Sequence, residues 1–367
     1  MDRSSYTRIG VALRSKPVCG FRRYGVVALL ASVAGPTVTK AERLRSPWDS
    51  VKVTQSDVAY TCPAPPIFVK TVEIGSYYVD SHASVIDPEK LAAFQKTSAA
   101  SSELSRSAAL AADAYLDNGS RAAAACVESL LYAAAKAGAW SGKMPGFQGV
   151  YLQNWLLSAV AISYLKVRPS GVGTPDQDLA IQRWFGSLAA QVTTYFDAEV
   201  VRLGSDGENN HIYWAGLAVA AAGIADGNAK EFRWGVAAYR MGVHAIQPDG
   251  SLLAEMNRGQ MALHYHLYAL GPLILLAELG EVNGLDLYAE DKGAIHRLVE
   301  FCVAGLDDPS LLEKRTGVKQ VVTLPYEGSD IGWAVPYVHR FPDPHLSSLL
   351  ARAPWVRYTS WGGAPPE

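Results

Sequence analysis

Two short stretches hold most of the side chains able to do chemistry. One is Asn209-Asn210-His211-Ile212-Tyr213-Trp214; the other runs from Asn257-Arg258 through Tyr265 to His266. Amides, an imidazole, a guanidinium and a phenol are the groups needed to hold a carboxylate and move a proton beside it. Asn209 or Asn210 also has a plainer use as the cap of a helix beginning there. Capping explains one Asn and leaves His211 and Trp214 without a reason. A helix start at this point would also offer free N–H groups and a positive dipole end to an anion.

Arg258 and Tyr265 are seven residues apart. On a helix that is two turns, roughly 10.5 Å of rise with about 20° of angular drift. The spacing predicts one shared face toward one ligand unit; an unrelated exposed Arg and half-buried Tyr would read the same. His264 and His266, at i and i+2, point to opposite sides of a helix and cannot chelate one ion as i and i+4 would. No HExxH or CxxC accompanies them, so no metal and no cofactor is expected. One of the two should pack inward and the other stay partly exposed. Gln148, Tyr151 and Trp155 form a stripe at i, i+3 and i+7, which is either core or a wall on which a sugar ring could stack. There is no GxSxG, P-loop or dinucleotide fingerprint.

These residues must be placed by helices. The 367-residue chain is 49% hydrophobic and 19% charged, the composition of a globular protein with a full core. A net charge of −2 gives no general attraction to nucleic acid or anionic membrane. Residues 1–34 read as a secretory signal: basic residues precede Val26-Val27-Ala28-Leu29-Leu30-Ala31, and Ser32-Val33-Ala34 suits cleavage. Export to the periplasm or the medium follows, with no membrane attachment after cleavage. Residues 35–87 read as an extended arm and an aromatic loop. From 88 to 367 one domain is expected, with helices near 88–117, 120–138, 147–167, 175–202, 210–226, 229–246, 257–280 and 287–305. Short Gly-, Asp- and Asn-rich links between them argue for antiparallel hairpins in an all-α barrel or toroid. In an exported chain Cys62 and Cys126 can bridge, pinning the arm to the helices; Cys302 reads as a buried thiol, and Cys19 would leave with the signal.

Asn209-Asn210-His211-x-Tyr213-Trp214, Gln247-Pro248-Asp249-Gly250 and Arg258-Gly-Gln-x-Ala262-Leu263-x-Tyr265-His266-x-Tyr268-Ala269-Leu270 together resemble the periplasmic alginate lyases that prefer mannuronate. The resemblance runs from about Cys62 to the C-terminus. It implies an α/α toroid, an incomplete α/α barrel with an extended N-terminal arm, cutting within alginate by β-elimination. It assigns catalysis to Asn210, His211, Arg258 and Tyr265, and substrate contact to Gln148, Tyr151, Trp155 and Glu255. Tyr78 would belong to a lid, where the neighbouring Tyr77 replaces a Lys of some members. Ser360-Trp361-Gly362-Gly363 matches the family's ending, but an Arg often near it is missing. The implied partner is an anionic polysaccharide met by a monomer. Another polyuronate such as polyglucuronate, or a non-catalytic toroid that only binds polyuronate, remain alternatives.

The chemistry suits the residues. Elimination removes a C5 proton alpha to a carboxylate, which is feasible only if that carboxylate is neutralised. Asn210, His211 and Arg258 could do this, with Tyr265 moving the proton. Either Tyr265 serves as base and acid in turn, or His211 is the base and Tyr265 the acid.

Overall fold

Asp87-Pro88-Glu89 opens the first helix as its residue types dictate. The Asp87 carboxylate accepts from the N–H groups of Glu89 and Lys90, and Pro88 occupies the first position, where no amide hydrogen is missed. In this computed structural model, which describes residues 43–367 apart from the side chains of residues 205 and 206, α1 is Pro88–Asn118 and α2 Arg121–Ala137. The expected signal peptide and Cys19 lie outside the described residues. α3 (Gly146–Val167), α4 (Pro175–Leu203), α5 (Asn210–Asp226) and α6 (Ala229–Ala245) follow, then a single turn, α7 (Leu253–Met256). α8 (Ala262–Glu281) and α9 (Glu290–Asp307) complete the main set, and α10 (Ser310–Thr316), α11 (Ala334–Arg340) and α12 (Pro344–Ala351) are short.

The helices form two layers. α1, α3, α5 and α8 pack on one another in that order as an inner row, while α2, α4, α6 and α9 pack outside them. Sequence explains the division. α3, α5 and α8 are apolar nearly all round and buried along almost their whole length. α2, α4, α6 and α9 bury only one side. A helix without a polar face must be enclosed, and a hairpin partner with one apolar stripe encloses it. α5 touches α3, α4, α6 and α8. Its approach to α6 is close because Gly216 and Gly235 face each other: a Cβ on Gly235 would meet the Gly216 carbonyl oxygen at 2.5 Å. The all-α toroid is therefore the fold, with no strand among the described residues.

The expected helix over 257–280 is broken. α7 ends at Met256, Arg258 lies in a turn with φ −78° and ψ 5°, and a 3₁₀ turn (Gly259–Met261) precedes α8. Gly259 takes a positive φ of 55°, which halts a continuous helix at that residue. α9 also starts irregularly, with Asp291, Lys292 and Gly293 all left-handed.

Residues 43–87 strap the outside of the helices and then cross to the site. Trp48 is buried and Asp49 pairs with Arg168 at 2.7 Å. Cys62 and Cys126 form a disulfide that ties the strap to α2, and Cys302 is a buried free thiol, as expected. Trp140 and Gly142 donate backbone N–H groups to Val69 and Lys70. The strap then turns through a loop over residues 76–86, where Asp80 accepts from Ser84 and Val85. At the other end of the chain, Lys166 donates to Asp113 at 2.7 Å and to the Gly362 carbonyl at 2.5 Å, all buried. Ala364 N–H also meets Asp113. Gly362 and Gly363, with φ of 73° and 98°, make the tight turn that brings Tyr358 to Ser360 against α3 and α8.

Candidate active site

The inner helix starts open into a cleft of about 850 Å³. α3 contributes Gln148, Tyr151 and Trp155 to its wall, so the predicted stripe faces the cavity as one surface. α5 contributes His211, α8 contributes His264, Tyr265 and Tyr268, and the turn before α8 supplies Arg258. The loop over residues 76–86 covers it with Tyr77 and Tyr78, and Tyr358 to Ser360 close another side. Continuing past the loop is a second hollow of about 710 Å³, which shares Ser81, Asn209 and Arg258 with the first.

Asn209 settles its own question: its side chain accepts from His211 N–H at 3.0 Å, so it is the cap of α5. Capping aims the next residues. His211 stacks flat on Tyr151, with ring centroids 3.8 Å apart and planes 11° from parallel. Its Nδ1 is buried without a partner. Burial, with the nearby Arg258 cation adding to it, pushes the imidazole pKa down to about 3, so His211 is neutral at ordinary pH.

Arg258 and Tyr265 meet, though by a different route from the expected one. Arg258 is not on α8; it precedes the helix and folds its guanidinium over the Tyr265 ring, 4.5 Å from the centroid. The Tyr265 hydroxyl donates to the Tyr78 hydroxyl at 2.6 Å. Burial raises the Tyr265 phenol well above its ordinary value, with Arg258 opposing. Tyr265 therefore rests protonated.

Asn210 and Glu255 lie one layer deeper. Neither lines the cleft, and both are fully buried. Glu255 accepts from the Asn210 backbone N–H at 2.9 Å and from Asn210 Nδ2 at 3.0 and 3.1 Å. Its charged neighbour is Arg258 Nε at 3.6 Å. Glu255, expected at the substrate, lies beneath the cleft surface: its side chain has no exposed area and its oxygens face Asn210 and Arg258.

His264 and His266 divide as their spacing predicts. His266 is buried, its Nε2 accepting from Leu252 N–H while Nδ1 faces the Ala262 carbonyl. His264 lines the cleft, stacked near Tyr268 and 4.0 Å from Asp330. Sequence reading also missed Arg106, Ser102 and Ser105, which come from α1. It missed Tyr268 and Tyr358 as well, though Tyr268, three residues after Tyr265 on the same helix, carried a usable signal.

A family model described as alginate lyase matches residues 71–312. The chain belongs to the alginate lyase family. A polysaccharide lyase of Stenotrophomonas maltophilia is 42% identical over 301 residues, 80% of this chain and 86% of that protein. An alginate lyase of Cobetia marina is 31% identical over 322 residues, 84% of each. Among solved structures, alginate lyase A1-III from Sphingomonas species A1 has a TM-score of 0.69 at 23% identity, covering 88% of this chain and 90% of that one. A histidine-to-alanine variant of A1-III in complex with a tetrasaccharide gives a TM-score of 0.71, again at 23% identity. These two likenesses concern the toroid alone. Membership in the alginate lyase family makes the chain a polysaccharide lyase, and the cleft is where its geometry gathers a cation, a neutral imidazole and a protonated phenol.

Proposed function

We propose that the chain is an exported lyase that cuts within mannuronate-rich alginate by β-elimination. The observation that carries this is the stack of Arg258 on Tyr265, a fixed cation against a proton carrier at the floor of a sugar-sized cleft. Arg258 would bind the uronate carboxylate and favour the enolate-like intermediate formed when the C5 proton leaves. In mannuronate that proton and the O4 leaving group share one face, so a single hydroxyl, Tyr265, can take the first and protonate the second. Arg258 beside the ring, and Tyr78 turning its hydroxyl to donate once Tyr265 has lost its proton, would stabilise the transient phenolate. A second reading, His211 as base and Tyr265 as acid only, is favoured by the depressed pKa that keeps His211 unprotonated.

Cutting within the chain is supported by the hollow beyond the lid, which gives a polymer room on both sides of Arg258. Gln148, Tyr151 and Trp155 would hold the sugar units. The Cys62–Cys126 bridge suits the oxidising periplasm or medium. The reading is tested by following ultraviolet absorbance of the unsaturated uronate on polymannuronate, polyguluronate, alginate and polyglucuronate. Polymannuronate should give the fastest rise, with viscosity falling before small products accumulate. A rise confined to polyglucuronate would move the substrate, and none on any polyuronate would sink the proposal.

A further inference from the structure

The floor beneath the cleft holds a charge balance that a uronate would upset. Glu255, fully buried, is the only carboxylate among the described residues in contact with Arg258, and Arg258 reaches into the cleft above it. Both Glu255 oxygens receive donors, the Asn210 N–H and Nδ2 on one and Nδ2 on the other, where Arg258 Nε stands as an ion-pair neighbour at 3.6 Å. That is the pattern of an ionised carboxylate, since an acid hydroxyl would leave one donor facing a donor. The other groups around Glu255 add no positive charge. Tyr213 on α5 and Tyr265 on α8 both feel its field and are both held protonated by burial. His211, beside Arg258, is held neutral. Arg106 is the other arginine of the cleft lining, and it is forked onto Glu103 and more than half exposed.

The resting count at the floor is thus one guanidinium and one carboxylate. A substrate carboxylate settling on Arg258 makes it one cation and two anions, which a buried site resists. A second feature points to how the excess is removed. Asn210 Oδ1 is buried with no partner while the same amide's Nδ2 is spent on Glu255. An unpaired buried acceptor is costly unless another state pairs it.

We propose that Glu255 is a positioning residue that trades its negative charge for that of the substrate: it holds Asn210 and Arg258 as a carboxylate in the free enzyme and takes one proton from solvent when a uronate carboxylate occupies Arg258. The proton comes from the buffer and forms an O–H bond on Glu255; no other bond is made or broken. A half-turn of the Asn210 amide then places Oδ1 against the new hydroxyl and releases Nδ2 from Glu255. Arg258, no longer shared, is free to serve the substrate. Burial already pulls the Glu255 pKa upward, in the direction this exchange requires.

This inference rests on the polyuronate reading above, and its test separates the two. Full-length Tyr265→Phe protein, expected to bind without turnover, is titrated calorimetrically at pH 7.5 with mannuronate oligosaccharides in phosphate and in Tris, buffers of different ionisation enthalpy. The dependence of the observed heat on buffer gives the protons taken up per ligand bound. We expect a value approaching one, falling to near zero when Glu255→Gln is added while oligosaccharide binding persists. Glu255→Asp should restore the uptake. Binding without proton uptake in the Tyr265→Phe protein overturns the exchange whatever the second variant does, as does equal uptake with Glu255→Gln. Absence of binding by a folded Tyr265→Phe protein overturns the polyuronate reading itself.

Discussion

The Tyr265 hydroxyl donates to the Tyr78 hydroxyl across 2.6 Å, so the floor of the cleft is hydrogen-bonded to the loop that covers it. Tyr78→Phe removes that bond and keeps the ring. A rate loss of about tenfold is expected, corresponding to one hydrogen bond of about 1.4 kcal/mol in the transition state. Circular dichroism should be unchanged; a rate equal to wild type would show that the loop serves only to cover the site.

Tyr265→Phe should abolish polymer cleavage, and isotope exchange then separates the two proton-transfer readings. In deuterated water, with a mannuronate oligomer followed by proton NMR, loss of C5 exchange along with cleavage assigns the base to Tyr265. Continued exchange without cleavage assigns it to His211 and leaves Tyr265 as the acid.

The flat contact between His211 and Tyr151 keeps water from the imidazole. Tyr151→Ala admits water, so the His211 pKa should climb from about 3 toward the ordinary 6.5. The acid limb of the rate profile then moves up by one unit or more, and activity at pH 5.5 falls relative to pH 8. Tyr151→Phe retains the stack and should retain the wild-type limb.

Glu128 is buried with Oε2 unpaired and Asp178 nearby, and desolvation raises its pKa to about 8. The folded value exceeds the unfolded one, so the unfolded chain binds fewer protons between those two values. The stabilising contribution is therefore complete below about pH 4.5 and is lost as pH rises toward 8. Glu128→Gln should leave stability near pH 4.5 little changed and raise it at pH 8 by roughly 1–3 kcal/mol. Denaturant melts at the two pH values check this; an equal effect at both would refute it.

The Cys62–Cys126 bridge spans a sequence separation of 64 residues. Replacing both by Ser should lower stability by about 2–4 kcal/mol, chiefly by freeing the unfolded chain. Activity measured well below the melting temperature should persist, because neither residue touches the cleft.

Local signals carried far in this chain and depth did not. The apolar run of α3, α5 and α8 and the caps at Asp87 and Asn209 lie within a few residues of what they control, and each was legible. The Gln148, Tyr151 and Trp155 stripe was legible as a face, but not that His211 would lie flat on its middle member. Arg258 and Tyr265 were rightly paired from a helical spacing that the chain does not use, because a turn at Gly259 returns the guanidinium to the same ring. Glu255 was given substrate contact by its position in the family's pattern, and position along a motif does not report burial. Tyr78 and Tyr265 are 187 residues apart, and no pattern within either element announces that their hydroxyls meet.

α5 is enclosed on four sides by α3, α4, α6 and α8, and it is the helix that begins with Asn210 and His211. A segment so placed opens only when its neighbours open, so its amide hydrogens should exchange at the rate of global unfolding. The covering loop lies on exposed strap residues and can exchange long before that. Heat should therefore displace His211 only as the whole toroid melts, with no warm interval in which the protein is folded and its His211 end is not.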